Sequence, residues 1–342
     1  MGMYTISRIS KFIKSTIYLS RNYTNNYERK VKPPWNVMFY GTDEFSVESL
    51  KALCKEYRHG SLLSNLEVVT SWKAKKNAVQ IYAEQQKLFV HKYPIDGSIC
   101  CKFDIGVVVS FGHLIPNSTI TNFPLGMLNV HASLLPRWRG AAPIIYAIAN
   151  GDQETGITIM KVKPHKYDIG EIVCQVSVKI FPYDRLPDLL LRLAHVGAVQ
   201  LLATVKELPD CLKFAKPQPE EGVSYAPKID PSKAVVLWDH LSARCVINLD
   251  RALTGVYPLT TTFHSTPVKL YNISQKQASV INPVIPGLVK YCRHSKTLEI
   301  QCSDGNWITV KNVGVPGRKV MSAADFNNGF LSKITENLRI CR

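Results

Sequence analysis

Two polar residues stand at alternate positions near the end of an apolar segment, where both could reach one bound molecule. Asn129 and His131 lie at the end of the predicted strand 125–130, and a loop rich in Pro and Arg follows them. Side chains at alternate strand positions point to the same side, so the amide and the imidazole are predicted to converge. Ligands of open α/β sheets bind beyond the carboxyl ends of the strands. The alternative is that both side chains only tie the strand to the loop.

A third polar group, Asp168, follows the apolar segment 157–162, and Gly170 allows a backbone turn that a side chain would obstruct. An amide and a protonated imidazole can donate hydrogen bonds to a carbonyl oxygen that becomes negative under nucleophilic attack. A carboxylate can orient the imidazole and favour its charged form. Asn129, His131 and Asp168 together therefore indicate acyl-type transfer without a covalent intermediate.

The sequence lacks the motifs of several other enzyme classes. It has no G-x-S-x-G around Ser133, no glycine-rich phosphate-binding motif and no H-E-x-x-H. The histidines His113, His165 and His195 are not at metal-ligand spacing, and the nine cysteines form no C-x-x-C pair. We therefore expect no bound metal and reduced thiols, as is typical inside a cell.

The elements that must position these residues alternate between strands and helices. Strands are predicted at 36–40, 66–71, 105–111 and 125–130, and helices at 43–57, 78–87 and 187–208. The third strand is apolar almost throughout, which is typical of a central parallel strand covered on both faces. The alternation predicts an α/β fold with a doubly wound, mostly parallel sheet, which we assign to a catalytic domain at 34–208.

A second domain is predicted after a break in this periodicity. The segment 209–223 carries three prolines and many polar residues, as a linker does. Short β-like runs separated by turn residues then fill 224–335 and predict a small barrel or sandwich. They lie at 260–263, 268–273, 287–291, 298–302 and 307–310. A chain of 342 residues, 46% of them hydrophobic, can bury a core in each of two domains.

The charge balance predicts a polyanionic partner, either nucleic acid or an anionic membrane surface. The chain has 42 Lys and Arg against 26 Asp and Glu, a net charge of +16. Residues 212–342 hold 17 basic and 9 acidic side chains, whereas residues 33–211 are almost balanced. No apolar run approaches the roughly 18 residues of a membrane span. We therefore expect a soluble protein whose second domain contacts nucleic acid, with no membrane partner.

The first 32 residues have a composition of their own. They contain seven basic residues and one acidic residue, together with many Ser and Thr. Ile6, Ile9, Ile13 and Ile17 fall on one face of a potential helix. A basic, acid-poor amphipathic segment is typical of a mitochondrial transit peptide, which we predict over residues 1–33 for import into the matrix. The alternative is a disordered basic arm that adds affinity for RNA.

The motifs also resemble those of a known family. The pattern N-x-H-x-S-L-L-P-x-x-x-G at 129–140, with D-x-G at 168–170, resembles the signature of the folate-dependent formyltransferases. The similarity is greatest to family members that formylate charged initiator tRNA, and it runs from about residue 37 to 331. It is carried by SLLPRWRGAAP (133–143), GDQETGITIM (151–160), SYAPKI (224–229) and KVMSAADF (319–326). The resemblance implies a Rossmann-like formyltransferase domain followed by an OB-like barrel.

The resemblance also implies substrates and residue roles. The formyl donor would be 10-formyltetrahydrofolate, and the acceptor would be the α-amino group of initiator methionyl-tRNA. Asn129 and His131 would stabilise the oxyanion, while Asp168 would pair with His131 and assist proton movement. Folate would contact Phe111, Gly112, Ser133, Leu134, Leu135 and Pro136. The tRNA would contact Arg137, Trp138, Arg139, Lys73, Lys75 and Lys76, with a core role as the alternative for Trp138.

Two segments depart from the family pattern. Lys166, Tyr167 and Ile169 flank Asp168 where members usually have Gly-Leu before it and Thr after it, which changes the wall of the folate pocket. The basic loop 72–76 is much shorter than the Gly-rich loop of bacterial members. Two other activities fit the same residues: hydrolysis of 10-formyltetrahydrofolate, and tRNA binding without catalysis. We expect a monomer.

Overall fold

The computed structural model describes residues 31–164, 167–276 and 283–342. The predicted transit peptide lies almost entirely outside the described residues, as do His165 and Lys166. Two β-sheets organise the described part, and separate apolar clusters pack against each of them. The order and direction of the strands in each sheet therefore define the fold class.

The first sheet has seven strands in the order β3-β2-β1-β4-β5-β6-β7. They are β1 Trp35–Gly41, β2 Leu63–Thr70, β3 Phe89–Lys92, β4 Ile105–Val109, β5 Met127–His131, β6 Glu154–Lys161 and β7 Ile172–Lys179. Strands β1 to β5 are parallel to one another, whereas β6 is antiparallel to both of its neighbours, β5 and β7. The predicted mostly parallel α/β sheet is confirmed.

Helices cover the two faces of this sheet unequally. They are α1 Glu44–His59, α2 Ala78–Gln85, α3 Asn117–Thr121, α4 Pro143–Asn150 and α5 Leu186–Lys206. Buried residues of α1, α2, α4 and α5 join one large cluster with Leu128 and Val130 of β5. Met127 belongs to a smaller cluster with the short 3-10 helix Gly97–Lys102 and α3. Because side chains alternate along β5, Asn129 points to the second, more thinly covered face.

Helix α5 is long and apolar enough to cross a membrane by length and composition. Its residues Leu189, Leu193, Leu201 and Val205 are fully buried in the large apolar cluster of the first sheet. A helix that is apolar because it packs against a sheet passes the same test as a membrane span. The packing therefore favours a core helix.

The second sheet has the order β10-β11-β12-β9-β8, all antiparallel, with the short strand β13 paired to β12. Its strands are β8 Leu259–Phe263, β9 Thr266–Gln275, β10 Val289–Cys292, β11 Thr297–Gln301, β12 Trp307–Gly314 and β13 Met321–Ser322. Residues at the end of the chain join its two edges, since Thr262 N–H donates to Arg342 O (2.7 Å) and Cys341 N–H donates to Gly287 O (2.8 Å). The sheet therefore closes into the predicted small barrel.

The α-helices of the second part, within the residues that the structure describes, are α6 Asp210–Lys213, α7 Ala243–Leu253 and α8 Ala323–Gly329. Helix α7 packs against α4 of the first domain. Its Arg251 is 9% exposed and donates from Nη1 to the backbone oxygen of Asp184 at 2.8 Å. This buried contact holds the barrel against the first sheet.

Candidate active site

The three predicted catalytic side chains meet at the carboxylate of Asp168. Its Oδ1 accepts a hydrogen bond from Asn129 Nδ2 at 3.2 Å and lies 3.6 Å from His131 Nδ1. Its Oδ2 accepts the backbone N–H of Gly140 at 2.9 Å. The His131 and Asp168 side chains are only 7% and 10% exposed. A mostly buried carboxylate thus binds the amide and faces the imidazole that the sequence placed on one side of β5.

The hydrogen bond of His131 Nε2 shows which ring nitrogen carries a proton. Nε2 is 2.9 Å from the backbone oxygen of Trp138, and a carbonyl oxygen can only accept a hydrogen bond. Nε2 therefore carries a proton in both charge states of the ring. The other ring nitrogen, Nδ1, faces Asp168.

The loop between β6 and β7 presents Asp168 in a conformation that side chains rarely adopt. Asp168 has φ 55°, in the left-handed region, where a non-glycine residue is strained. Two residues later, a Cβ on Gly170 would lie 1.6 Å from the backbone oxygen of Lys161. The loop therefore crosses the end of β6 so closely that only glycine fits at position 170.

A cleft opens beside Asn129 and Asp168 on this face of the sheet. Its walls come from β4, β6 and the loops that follow β4 and β6. They are formed by Val108, His113, Leu114, Ile115, Met160, Lys161, Val162, Lys163, Tyr167 and Gly170. Apolar walls with a few polar groups are typical of small-molecule sites. Residues 113–115 were not predicted as folate contacts, although they continue the loop that begins with Phe111 and Gly112 after an apolar strand.

The residues predicted to contact folate occupy two places. Phe111 is 3% exposed and packs its ring against His113 of the cleft wall, with centroids 5.0 Å apart, so it supports the cleft from behind. Gly112 is exposed in the same loop, with φ 72°. The stretch 133–136 lies on the other side of β5 and is buried except for the half-buried Leu134. Among these residues, only Phe111 and Gly112 adjoin the residues that line the cleft.

The stretch 133–136 is held tightly to β6. The hydroxyl of Thr158 donates to Ser133 O at 2.7 Å and accepts Leu135 N–H at 3.1 Å. Ser133 Oγ donates to Arg137 O at 2.6 Å, which closes the loop on itself. These bonds satisfy polar groups that would otherwise be buried without partners. They give the loop a fixed shape before any substrate binds.

Two side chains predicted to contact tRNA have an internal partner, Asp152. Arg137 donates to its two carboxylate oxygens at 2.9 and 2.7 Å, and Trp138 Nε1 donates at 2.8 Å. The Arg137 guanidinium also lies over the Trp138 ring, 4.4 Å from its centroid. Burial alone would raise the pKa of the Asp152 carboxyl, but the hydrogen bonds from Arg137, Trp138 and Asn150 outweigh burial and lower it. Asp152 therefore remains charged and orders the loop.

The other predicted tRNA contacts are dispersed. Arg139 donates to Gln218 Oε1 from Nε at 3.0 Å and from Nη2 at 2.6 Å. Lys73, Lys75 and Lys76 are exposed in the loop after β2, where Lys76 pairs with Glu84 at 2.5 Å. Strands β2 and β5 are three positions apart in the sheet, or roughly 14 Å at about 4.8 Å per strand. The structure therefore does not place these lysines beside Arg139.

The site is made of nitrogen and oxygen donors suited to an organic substrate. Within the described ranges, no group of three or more His, Cys, Asp or Glu side chains is close enough to hold a metal ion. All nine cysteines lie in these ranges and are free thiols.

Comparison with known proteins agrees with this arrangement. Residues 97–205 match the family described as formyl transferase, and residues 228–331 match the formyl transferase C-terminal domain. Fold and site thus define a formyltransferase that has both domains. The mitochondrial methionyl-tRNA formyltransferase of Mus musculus is 40% identical over 311 residues, 88% of this chain and 79% of that protein. This chain belongs to the methionyl-tRNA formyltransferase family.

More distant proteins extend the similarity. The methionyl-tRNA formyltransferase of Roseobacter denitrificans is 34% identical over 307 residues, 86% of this chain and 95% of that protein. The N-formyltransferase of Helicobacter canadensis, solved in complex with folinic acid and dTDP-3-aminofucose, has a TM-score of 0.61 and 17% identity. That match covers 81% of this chain and 99% of the other. At this identity the likeness shows a shared fold.

The Asp152 contacts lead to a stability prediction. We expect Asp152→Asn to lower the free energy of unfolding at neutral pH by about 1–3 kcal/mol, because Arg137 and Trp138 lose a charged acceptor. The folded-state pKa of Asp152 is lowered, so its contribution is complete above the unfolded pKa and is lost as pH falls through the folded pKa. Urea unfolding of both proteins at stepwise lower pH should show the difference shrinking.

The matched control is Asp210→Asn. Asp210 also pairs with a basic side chain, Lys213, but its side chain is 70% exposed, and exposed pairs contribute little. We expect this variant to unfold like the wild type. A difference for Asp152→Asn that stays constant from neutral to acid pH would contradict the account.

Proposed function

We propose that this protein transfers the formyl group of 10-formyltetrahydrofolate to the α-amino group of initiator methionyl-tRNA in the mitochondrial matrix. The observation that carries the proposal is the convergence of Asn129 and His131 on the Asp168 carboxylate. Membership of the methionyl-tRNA formyltransferase family supports the choice of substrates. The product, formylmethionyl-tRNA, would serve initiation of mitochondrial translation.

The first chemical step is attack of the amino nitrogen on the formyl carbon. As the new C–N bond forms, one electron pair of the formyl C=O moves to its oxygen, which becomes negative. The Asn129 amide carries a second N–H, which we assign to this oxygen, and the His131 ring adds electrostatic stabilisation when Nδ1 is protonated. Fixed donors of this kind need no reorganisation when the charge develops.

The second step breaks the bond between the formyl carbon and N10 of the folate. The attacking nitrogen loses one proton, and N10 takes up one as it departs, so the overall charge is unchanged. Asp168 and Nδ1 of His131 lie 3.6 Å apart and form the pair through which we route this proton. Nε2 keeps its proton throughout, because it donates to Trp138 O.

We assign substrate contacts by their position. Folate would occupy the cleft beside Asn129, near Phe111 and Gly112, with the stretch 133–136 as its second boundary. The 3′ end of the tRNA would pass Arg137, Trp138 and Arg139, while Lys73, Lys75 and Lys76 would meet phosphates farther along. Arg suits phosphate geometry, and Trp can stack on a base. Binding through many phosphates predicts strong salt dependence.

We further propose a division of the chain into a catalytic domain at 34–208, a connecting segment at 209–223 and a tRNA-binding domain at 224–335. The excess of basic residues in 212–342 supports the role of the second domain. We propose that the protein acts as a monomer and has no membrane partner. Arg251, buried between barrel and sheet, supports a fixed angle between the two domains.

The direct test mixes purified protein with 10-formyltetrahydrofolate labelled in the formyl group and with charged initiator tRNA. We expect label on the methionyl-tRNA, measured after precipitation of the tRNA, and free tetrahydrofolate in equal amount. Release of labelled formate without labelled tRNA would instead indicate a hydrolase. No turnover of either kind, with the tRNA still bound, would indicate a non-catalytic binding protein.

The catalytic roles predict a separation of turnover from binding. His131→Ala and Asp168→Asn should each lower kcat by at least ~100-fold, because each removes a group that acts on charge in the transition state. The Kd for tRNA, measured by filter binding, should stay within about twofold because the phosphate contacts remain. The matched controls His195→Ala and Asp210→Asn alter exposed side chains and should keep wild-type kcat. Equal losses in kcat and in tRNA binding would make the two residues structural.

The proposed mitochondrial targeting by the first residues of the chain can be tested separately. A fusion of residues 1–34 to a fluorescent reporter should enter mitochondria and be protected from external protease after the outer membrane is opened, as a matrix protein is. The control replaces the basic residues of the segment with Gln, which removes the charge that import requires. A reporter that stays in the cytosol with the natural segment would contradict the assignment.

A further inference from the structure

The segment between the two sheets passes the active site and is hydrogen-bonded to β7 at its start and to the loop after β5 near its end. We refer to residues 216–226 as the strap. At its start, Lys216 and Ile172 exchange two backbone hydrogen bonds of 2.7 and 2.9 Å. Near its end, Ser224 O accepts Arg139 N–H at 2.9 Å, and Ala226 N–H donates to Arg139 O at 2.7 Å. Residues 216–223 of the segment predicted as a linker therefore belong to a stretch that is hydrogen-bonded to the loop after β5.

Gln218 lies in the strap between two prolines, Pro217 and Pro219, whose rings restrict the backbone. Its Nε2 donates to the backbone oxygens of Asp168 and Gly170, each at 2.9 Å. Its Oε1 accepts two hydrogen bonds from Arg139, as described above. The orientation of the amide follows from its partners, because carbonyl oxygens only accept and a guanidinium only donates.

These hydrogen bonds hold the loop whose backbone conformation at Asp168 is strained. Asp168 is held at φ 55°, so the loop needs support from outside to keep this conformation. Gln218 binds the backbone on both sides of Ile169 and therefore fixes the angle at which the Asp168 side chain leaves the loop. The strap also holds Arg139, the residue before Gly140, and Gly140 N–H donates to the Asp168 carboxylate. Both the loop that carries the carboxylate and a donor to it are thus held by the strap.

We propose that Gln218 is a positioning residue for formyl transfer, which holds the Asp168 carboxylate where it meets Asn129 and His131. The proposal rests on the proposed function, since it concerns the rate of that reaction. Gln218 itself touches no reacting atom and acts only through Asp168 and Arg139. Displacement of a reacting group by about 1 Å can cost about 100-fold in rate, so loss of this support should be visible in kcat.

The experiment compares Gln218→Ala and Gln218→Glu with the wild type in the labelled-formyl assay. Glu keeps the length of the side chain and its acceptor toward Arg139, but it presents an oxygen to the two backbone oxygens that Gln218 binds. We expect both variants to lower kcat by about 10- to 100-fold, with KM for folate and for tRNA within about twofold. Glu220→Gln alters an exposed side chain of the same strap and should leave kcat unchanged.

A double-mutant cycle with Asp168→Asn separates positioning from general loss of structure. If Gln218 acts through Asp168, adding Gln218→Ala to Asp168→Asn should cost less than about twofold, because the carboxylate to be positioned is already gone. Independent losses that multiply in the double variant would overturn the proposal, as would wild-type kcat in Gln218→Glu. Gln218→Glu loses two hydrogen bonds and should therefore unfold at a somewhat lower temperature, so both proteins are assayed well below that midpoint. A lowered kcat with unchanged KM supports the positioning role, whereas raised KM for both substrates would make Gln218 structural.

The same reactions are also assayed for released formate. If the wild-type protein releases formate and labels no tRNA, the proposed transfer to tRNA fails, and kcat for formate release is then used in the double-mutant cycle. If the losses in kcat of the two single variants multiply in the double variant, whichever product is measured, only the role of Gln218 is contradicted. The two failures therefore have different signatures.

Discussion

The active site depends on one mostly buried carboxylate, that of Asp168. A carboxylate removed from water needs hydrogen-bond donors, and here they come from Asn129, from the backbone of Gly140 and from His131 when its Nδ1 is protonated. The donors lie on β5 and on the loop after it, and the carboxylate lies on the loop between β6 and β7. Satisfying one charge thus brings three separate parts of the chain to one point.

Much of this could be predicted from the sequence, because it follows from local patterns. Alternation along β5 placed Asn129 and His131 on one face, and apolar runs marked the inner strands of both sheets. Strand β3 was not predicted, since it lies at the sheet edge and its residues are at most half-buried. Helix α7 was also not predicted, although Ser242 caps its first turn; its buried residues include Asn248 and Arg251, which bond to each other at 2.8 Å.

Contacts between residues far apart in the chain could not be predicted in this way. Asp152 and Gln218 gave no local signal, although together they bind Arg137, Trp138 and Arg139. Prolines and polar residues around position 218 resemble those of a flexible linker, whereas in the folded protein they form a stiff segment bonded to the catalytic loop. Basic and aromatic residues next to a site were interpreted as substrate contacts, and the structure shows that they also have internal partners.

The most direct test of this account is the protonation of His131, measured by nitrogen NMR of the protein with labelled histidine. The account predicts that Nε2 carries a proton, because it donates to Trp138 O, and that Nδ1 is the ring nitrogen beside Asp168. Asp168→Asn should leave the proton on Nε2 and change the nitrogen chemical shift of Nδ1, which loses a neighbouring carboxylate. A ring with an unprotonated Nε2, or an Nδ1 chemical shift unaffected by Asp168→Asn, would contradict the account.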